Sequence, residues 1–358
     1  MKNIKIKFLL PALIGLFLFS GCAKEAPVTS SETTASTENE ITIGLSLSDL
    51  RVERWQTDRD LFVNKADQLG ASVIVVAADL DSDLQESQAE NLILQKVDVL
   101  VIVANDSEKA AAIVEKAHAA GIKVIAYDRL IKNSDLDYYI SFDNEKVGEY
   151  EAKGILDVVS SGDFAYLGGS PTDNNAFLVK EGSMKLLQPK IDSGEINLVL
   201  DEFNDGWKSD EAYKHLKAYL DANDGKIDAV VAANDGTALG AIQALGEVGL
   251  AGKVPVSGQD ASLGACQLIA EGKQTVTVYK PIRSIAEKAA EMAVAAAKGH
   301  SPATNQTVNN GKIDVPSFLL DVTMVTKNNL MSTVIKDGFQ TYDSVYQDIP
   351  EADRPKQN

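Results

Sequence analysis

Seven short segments gather the groups that could do chemistry in this chain. They are Asp49-Leu50-Arg51-Val52-Glu53-Arg54-Trp55, Tyr127-Asp128-Arg129, Gly168-Gly169-Ser170-Pro171-Thr172-Asp173-Asn174-Asn175, Asn204-Asp205-Gly206-Trp207, Ala233-Asn234-Asp235, Gly258-Gln259-Asp260 and Tyr279-Lys280-Pro281. Any single Asp among them could simply cap a helix. Seven polar segments of one character are harder to assign to capping alone. Trp55 and Trp207 are the two tryptophans of the chain, and each reads as part of a polar loop after a strand instead of an apolar run. Each could cover an edge of the fold. An indole also offers a flat apolar face that suits the C–H face of a sugar ring. Carboxylates, amides and guanidinium groups can satisfy hydroxyls that both donate and accept. A stackable, hydroxyl-rich ligand accounts for the aromatics and the mixed charges together, whereas phosphate would not call for so many carboxylates.

Enzyme chemistry finds less support. Carboxylates are plentiful, so a glycosidase pair is not excluded by counting. The segments nonetheless favour opposite-charge neighbours such as Asp128-Arg129, which suit hydrogen bonding more than proton transfer. No G-x-G-x-x-G, Walker or G-x-S-x-G pattern occurs, and His118, His215 and His300 have no metal-like spacing. Asp79, Asp81, Asp83 and Glu90 fall on calcium-loop positions one, three, five and twelve, but Leu84 stands where the turn glycine belongs. Asp83 suits an N-cap of the following helix just as well. Neither a metal nor a cofactor is expected.

The segments follow short apolar, β-branched runs. Ile41–Leu47, Val73–Ala78, Val97–Ala104 and Val124–Tyr127 read as buried strands, separated by amphipathic runs of helical period at Asp58–Leu69, Asp83–Gln95 and Ser107–Ala120. Gly70 and Gly121 stand where helices should stop. A bridge at Tyr138–Phe142 and a helix at Glu145–Val159 lead into a second series: Phe164–Gly168, Asn197–Glu202, Ala229–Ala233, Val254–Ser257 and Thr275–Val278. Near-continuous apolar strands joined by helices imply parallel sheets covered on both faces. The fold class is therefore α/β, with two doubly wound parallel-sheet lobes. A last helix at Ile282–Ala297 and a strand at Val315–Leu320 return to complete earlier layers, which implies several crossings between lobes. In such sheets ligands sit at the carboxyl ends of the strands, where the seven segments lie.

The ends of the chain carry different information. Lys2, Lys5 and Lys7, an apolar run from Phe8 to Phe19 and Ser20-Gly21-Cys22 make an export signal. The cysteine after small residues resembles a bacterial lipobox, although Phe19 departs from the usual aliphatic residue; Cys22 would then carry a lipid anchor to the membrane. Residues 22–40 are mostly Ser, Thr, Glu, Ala and Asn, a composition for a tether. Acylation of Cys22 leaves Cys266, in an apolar helical stretch, as a core residue. The formal charge of −18 grows more negative once the signal lysines leave, and it argues against nucleic acid as a partner. The expected division is 1–21 signal, 22–40 tether, 41–142 plus 279–316 one lobe, 143–278 plus 317–345 the other, and 346–358 a polar, frayed tail.

The strings Asp49-Leu50-Arg51-Val52-Glu53-Arg54-Trp55-Gln56, Ala126-Tyr127-Asp128-Arg129, Tyr139-Ile140-Ser141-Phe142-Asp143-Asn144-Glu145-Lys146-Val147-Gly148, Gly168-Gly169-Ser170-Pro171, Ile227-Asp228-Ala229-Val230-Val231-Ala232, Ser257-Gly258-Gln259-Asp260 and Val278-Tyr279-Lys280-Pro281 resemble the D-xylose-binding proteins of bacterial ABC sugar importers. The likeness runs from about Ile41 to about Phe339. It implies a type I periplasmic-binding fold with three hinge crossings. It also implies that Arg54, Asp128, Arg129, Asp173, Asn175, Asn234, Asp260 and Lys280 hydrogen-bond the sugar, with Trp55 and Trp207 sandwiching it. The implied partners are D-xylose and an ABC permease, for a monomeric receptor without catalysis, held by Cys22 on the extracytoplasmic face of the cell membrane. A sugar-sensing receptor that presents its closed form to a signalling partner is the alternative. A repressor of the same fold would need a DNA-binding module where the signal and tether stand.

Overall fold

The computed structural model describes residues 40–51 and 53–357. The expected signal, Cys22 anchor and tether lie outside the described residues. The chain alternates strands and helices from its first described residue. β1 (Ile41–Leu47), α1 (Glu53–Gln68), β2 (Ala71–Ala77), α2 (Ser82–Leu94), β3 (Val99–Ile102), α3 (Ala111–Ala119), β4 (Lys123–Tyr127) and β5 (Tyr138–Phe142) form the first series. The second runs α4 (Asn144–Leu156), β6 (Gly162–Gly168), α5 (Asn174–Asp192), β7 (Ile196–Phe203), α6 (Ser209–Ala222), β8 (Ala229–Ala232), α7 (Asp235–Glu247), α8 (Leu263–Glu271) and β9 (Val276–Tyr279). α9 (Ile282–Ala297), β10 (Gln306–Asn309), β11 (Asp314–Leu320), β12 (Thr323–Thr326) and the short α10 (Tyr342–Val345) follow.

Seven strands pair in the order β10-β11-β5-β4-β3-β1-β2, all parallel except the β10–β11 hairpin. The β3 residues Val99, Leu100, Val101 and Ile102 are fully buried, as expected of a central strand with helices on both faces. Gly70 and Gly121 end α1 and α3 with φ of 77° and 75°, a left-handed turn that costs glycine nothing. The second lobe holds β7-β6-β8 in parallel and a β9–β12 antiparallel pair. Two bridges, Val230 to Val256 and Gln259 to Val278, tie these two pieces together. The run Val254–Ser257, expected as a strand, is thus reduced to a bridge, because the chain between α7 and α8 passes the sheet only briefly.

Three connections join the lobes: Phe142 to Asn144, Tyr279 to Ile282, and Leu320 to Thr323. β11 stays paired with β5 through Leu320, so the boundary expected at 316/317 falls inside a strand and the crossing comes later. α9 returns to pack on α1 and the first sheet, burying Ile285, Ala286, Ala289, Ala290, Met292 and Ala293. Its alanines let the helix lie close to the strands. The tail expected to fray is anchored where it begins. Tyr346 is buried with Val345, Leu330 and Val334, and Tyr342 Oη donates to Pro355 O at 2.8 Å. Cys266 is buried in the same cluster.

Candidate functional site

All ten residues singled out in the sequence line one cavity between the lobes: Arg54, Trp55, Asp128, Arg129, Asp173, Asn175, Trp207, Asn234, Asp260 and Lys280. It holds about 460 Å³ free of protein atoms, part of it open to solvent. Asp49, Gly206 and Gln259 also line it. They belong to the polar segments, but nothing in their type marked them above their neighbours.

The first lobe supplies a buried, interlocked wall. Arg54 and Trp55 lie in the first turn of α1, not in a loop as the polar stretch Asp49–Gln56 suggested. Arg54 Nη2 donates to Asp128 Oδ1 at 2.7 Å, and Arg54 Nε to Asp58 Oδ2 at 3.4 Å. Tyr127 Oη donates to the other oxygen of Asp58. The Arg54 guanidinium also lies over the Trp55 ring at 4.4 Å, with that of Arg129 5.5 Å from the same ring. Trp55 is 4 % exposed, so the indole is packed on the core and the cations as well as facing the cavity. Burial alone would raise the Asp128 carboxyl, yet Arg54, Lys280 and Arg129 hold it below its ordinary value. Asp58 goes the other way, because burial outweighs the pull of Arg54 and lifts it to about 6.

The second lobe contributes through helix starts and strained turns. Asp173 caps α5, its Oδ1 accepting from Asn175 N at 2.9 Å, while Oδ2 accepts from Trp207 Nε1 at 3.1 Å. Arg129 Nε reaches that same oxygen at 2.8 Å, at an angle too poor for a hydrogen bond, so the contact is an ion pair across the cleft. Asn175 Nδ2 donates to Asp128 O at 3.0 Å, a second cross-lobe link. Asn234 caps α7 with Oδ1 on Thr237 N at 2.8 Å. Trp207 sits in a single turn, Asp205–Trp207, where Gly206 and Trp207 have φ of 62° and 58°. A Cβ on Gly169 would fall 2.3 Å from the indole, so glycine is what lets the ring lie against that backbone.

Asp260 is the carboxylate of the cavity left without enough partners. Its φ is 96°, and its Oδ1 is buried with no hydrogen bond. Arg54 Nη1 and Lys280 Nζ stand 3.6 and 3.7 Å away, beyond hydrogen-bond reach but close enough to hold the negative charge. Such an oxygen accepts readily from a hydroxyl placed between them. Asp128, Trp207 and Asp260 are all left-handed in backbone, a conformation that non-glycine residues adopt at a cost of about 1–3 kcal/mol. That strain gathers at the cavity.

The tempting acidic run is otherwise employed. Asp81, not Asp83, caps α2, accepting from Asp83 N and Leu84 N at 2.9 and 3.0 Å. Among the described residues no group of three or more His, Cys, Asp or Glu could hold a metal ion.

A family profile described as "Periplasmic binding protein domain" matches residues 43–301. The chain is 49 % identical over 344 residues to a D-xylose-binding periplasmic protein of Haemophilus influenzae, covering 96 % of this chain and 100 % of that protein. It is 53 % identical over 305 residues to a protein of the same description from Escherichia coli, covering 85 % and 92 %. Among solved structures, an ABC transporter solute-binding protein from Clostridium phytofermentans with bound β-D-glucose aligns with a TM-score of 0.78 at 29 % identity, over 85 % of this chain and 99 % of the other.

Proposed function

This chain belongs to the periplasmic binding protein family, with its type I fold, and on that premise we propose that it captures D-xylose in the interlobe cavity for an ABC importer. The observation that carries this reading is Asp260 Oδ1, buried without a hydrogen bond between Arg54 and Lys280. A ring hydroxyl donating to Oδ1 completes it, and a second oxygen of the sugar can accept from the flanking cations. The Trp207 indole, fixed by Asp173 and Gly169, offers the ring a flat apolar face. The relatives are described as binding proteins, and no catalytic step is proposed.

Function then follows from closure. Asp128 and Arg54 belong to one lobe, Asp260 and Trp207 to the other, so a sugar touching both favours the closed arrangement over an open one. The permease would read that closed form. The relatives are periplasmic; here an anchor at Cys22 would hold a monomeric receptor on the outer side of the cell membrane.

Titration of tryptophan fluorescence with xylose, ribose, arabinose, glucose and galactose tests the assignment. Xylose is expected to give the tightest saturable change. Tighter binding of another sugar would sink xylose as the ligand, and no response to any of them would sink the sugar reading.

A further inference from the structure

The cleft is fastened on one side and roomy on the other. On the fastened side, the loop after β3 meets the loop after β6. Ser107 N donates to Thr172 O at 2.9 Å, Thr172 Oγ1 to Asn105 O at 3.1 Å, and Asn174 N to Ser107 Oγ at 3.0 Å. On the other side, Arg54, Trp207, Asn234 and Asp260 line a second cavity as well as the first. This one holds about 1310 Å³ free of protein atoms, part of it open solvent, nearly three times the space of its neighbour. Its walls mix apolar patches with polar and acidic groups such as Thr57, Asp235 and Asp337: Leu61 on α1 faces the cleft from one lobe, Leu239 on α7 and Phe339 from the other. Ser262, Gln340 and Arg283 supply polar groups around them.

We propose that this groove is a second sugar subsite, so that the protein accepts a disaccharide of pentopyranoses with one ring in the inner cavity and the next in the groove. The inference rests on the sugar reading of the inner cavity. A pyranose has an apolar C–H face and an edge of hydroxyls, and the groove offers that combination: branched and aromatic carbons flanked by amide, hydroxyl and guanidinium groups. Continuity decides the occupant. A substituent on the ring held by Asp260 and Trp207 can run along Arg54, Trp207, Asn234 and Asp260, the walls that the two cavities share. Leu239 is 51 % exposed, and a second ring between it and Leu61 would cover apolar surface that a monosaccharide leaves to water.

Isothermal titration of the soluble protein, residues 40–358, with xylose and with β-1,4-xylobiose tests this. Wild type is expected to bind xylobiose within about tenfold of xylose. Leu239→Arg, which changes an exposed position outside the inner cavity, should weaken xylobiose at least tenfold and leave xylose within about twofold. Tight xylose binding with no saturable xylobiose signal at millimolar concentration overturns the second subsite and leaves the first intact. Equal weakening of both ligands by Leu239→Arg also overturns it. Failure of xylose itself removes the reading on which the subsite rests.

Discussion

The two walls of the cleft are built on opposite plans. In the first lobe Arg54, Asp58, Tyr127 and Asp128 are one another's partners, all buried, stacked against Trp55 and under Phe142. In the second, Trp207 stands half-buried on a left-handed turn, Asn234 is a helix cap with its amide nitrogen to spare, and Asp260 keeps 16 % of its side chain exposed with one oxygen unsatisfied. One wall is closed on itself, and the other keeps groups that a bound ligand would complete. Removing a residue from the first should therefore injure the fold and the site together, while the second can be emptied at little cost to stability.

The largest expected effect comes from Arg54→Ala. It strands two buried carboxylates, a loss of about 3–5 kcal/mol. Thermal denaturation should show a fall on the order of 10 °C, and sugar titration no binding. Asp260→Asn is the matching change in the other wall. Binding should drop by about 100-fold, the scale of one charged hydrogen bond, while the melting temperature holds or rises because an unsatisfied carboxylate is gone. If Asp260→Asn destabilises as much as Arg54→Ala, the contrast between the walls is wrong.

The pH dependence separates them further. Burial lifts Asp58 to about 6, and burial together with Asp260 lifts Asp235 to about 7. The native state therefore holds these protons more tightly than the unfolded chain. That stabilisation is complete below the unfolded carboxylate value and is lost as pH rises through about 6 and about 7. Asp128, held below its ordinary value, works in reverse and gives up its contribution only on acidification. Melting temperature should thus fall by a few degrees from pH 5 to pH 8, and Asp235→Asn should flatten the upper part of that slope. The smallest effect belongs to the fastening between the walls. Ser107→Ala removes one hydrogen-bond acceptor for Asn174 N, about 1 kcal/mol, so every sugar should bind roughly fivefold more weakly with the order of preference unchanged.

Much of this was legible because parallel strands put their carboxyl ends at one edge, so polar residues following apolar runs were bound to meet. The local form of those segments was less visible. Trp55 looked like a loop residue because the polar run before it hides where α1 begins. β10 and β12 escaped notice because four-residue edge strands such as Gln306–Asn309 carry little apolar signal. Asp173 reads as a ligand group in sequence; it lines the cavity, and the fold adds a second role that the sequence did not show, as a brace for Trp207 and Arg129. Gln259, whose Oε1 is buried without a partner, stood in a quoted segment, and only the fold shows that it faces the cavity.

The three connections between the lobes have a mechanical consequence. A body hung from one strand can swing and twist freely, but three straps, two of them leaving the neighbouring strands β5 and β11, act as a flexure that resists torsion and yields about one axis. Opening and closing is then a single-coordinate motion. A fluorophore placed anywhere across the gap should report the same relaxation rate as one placed elsewhere.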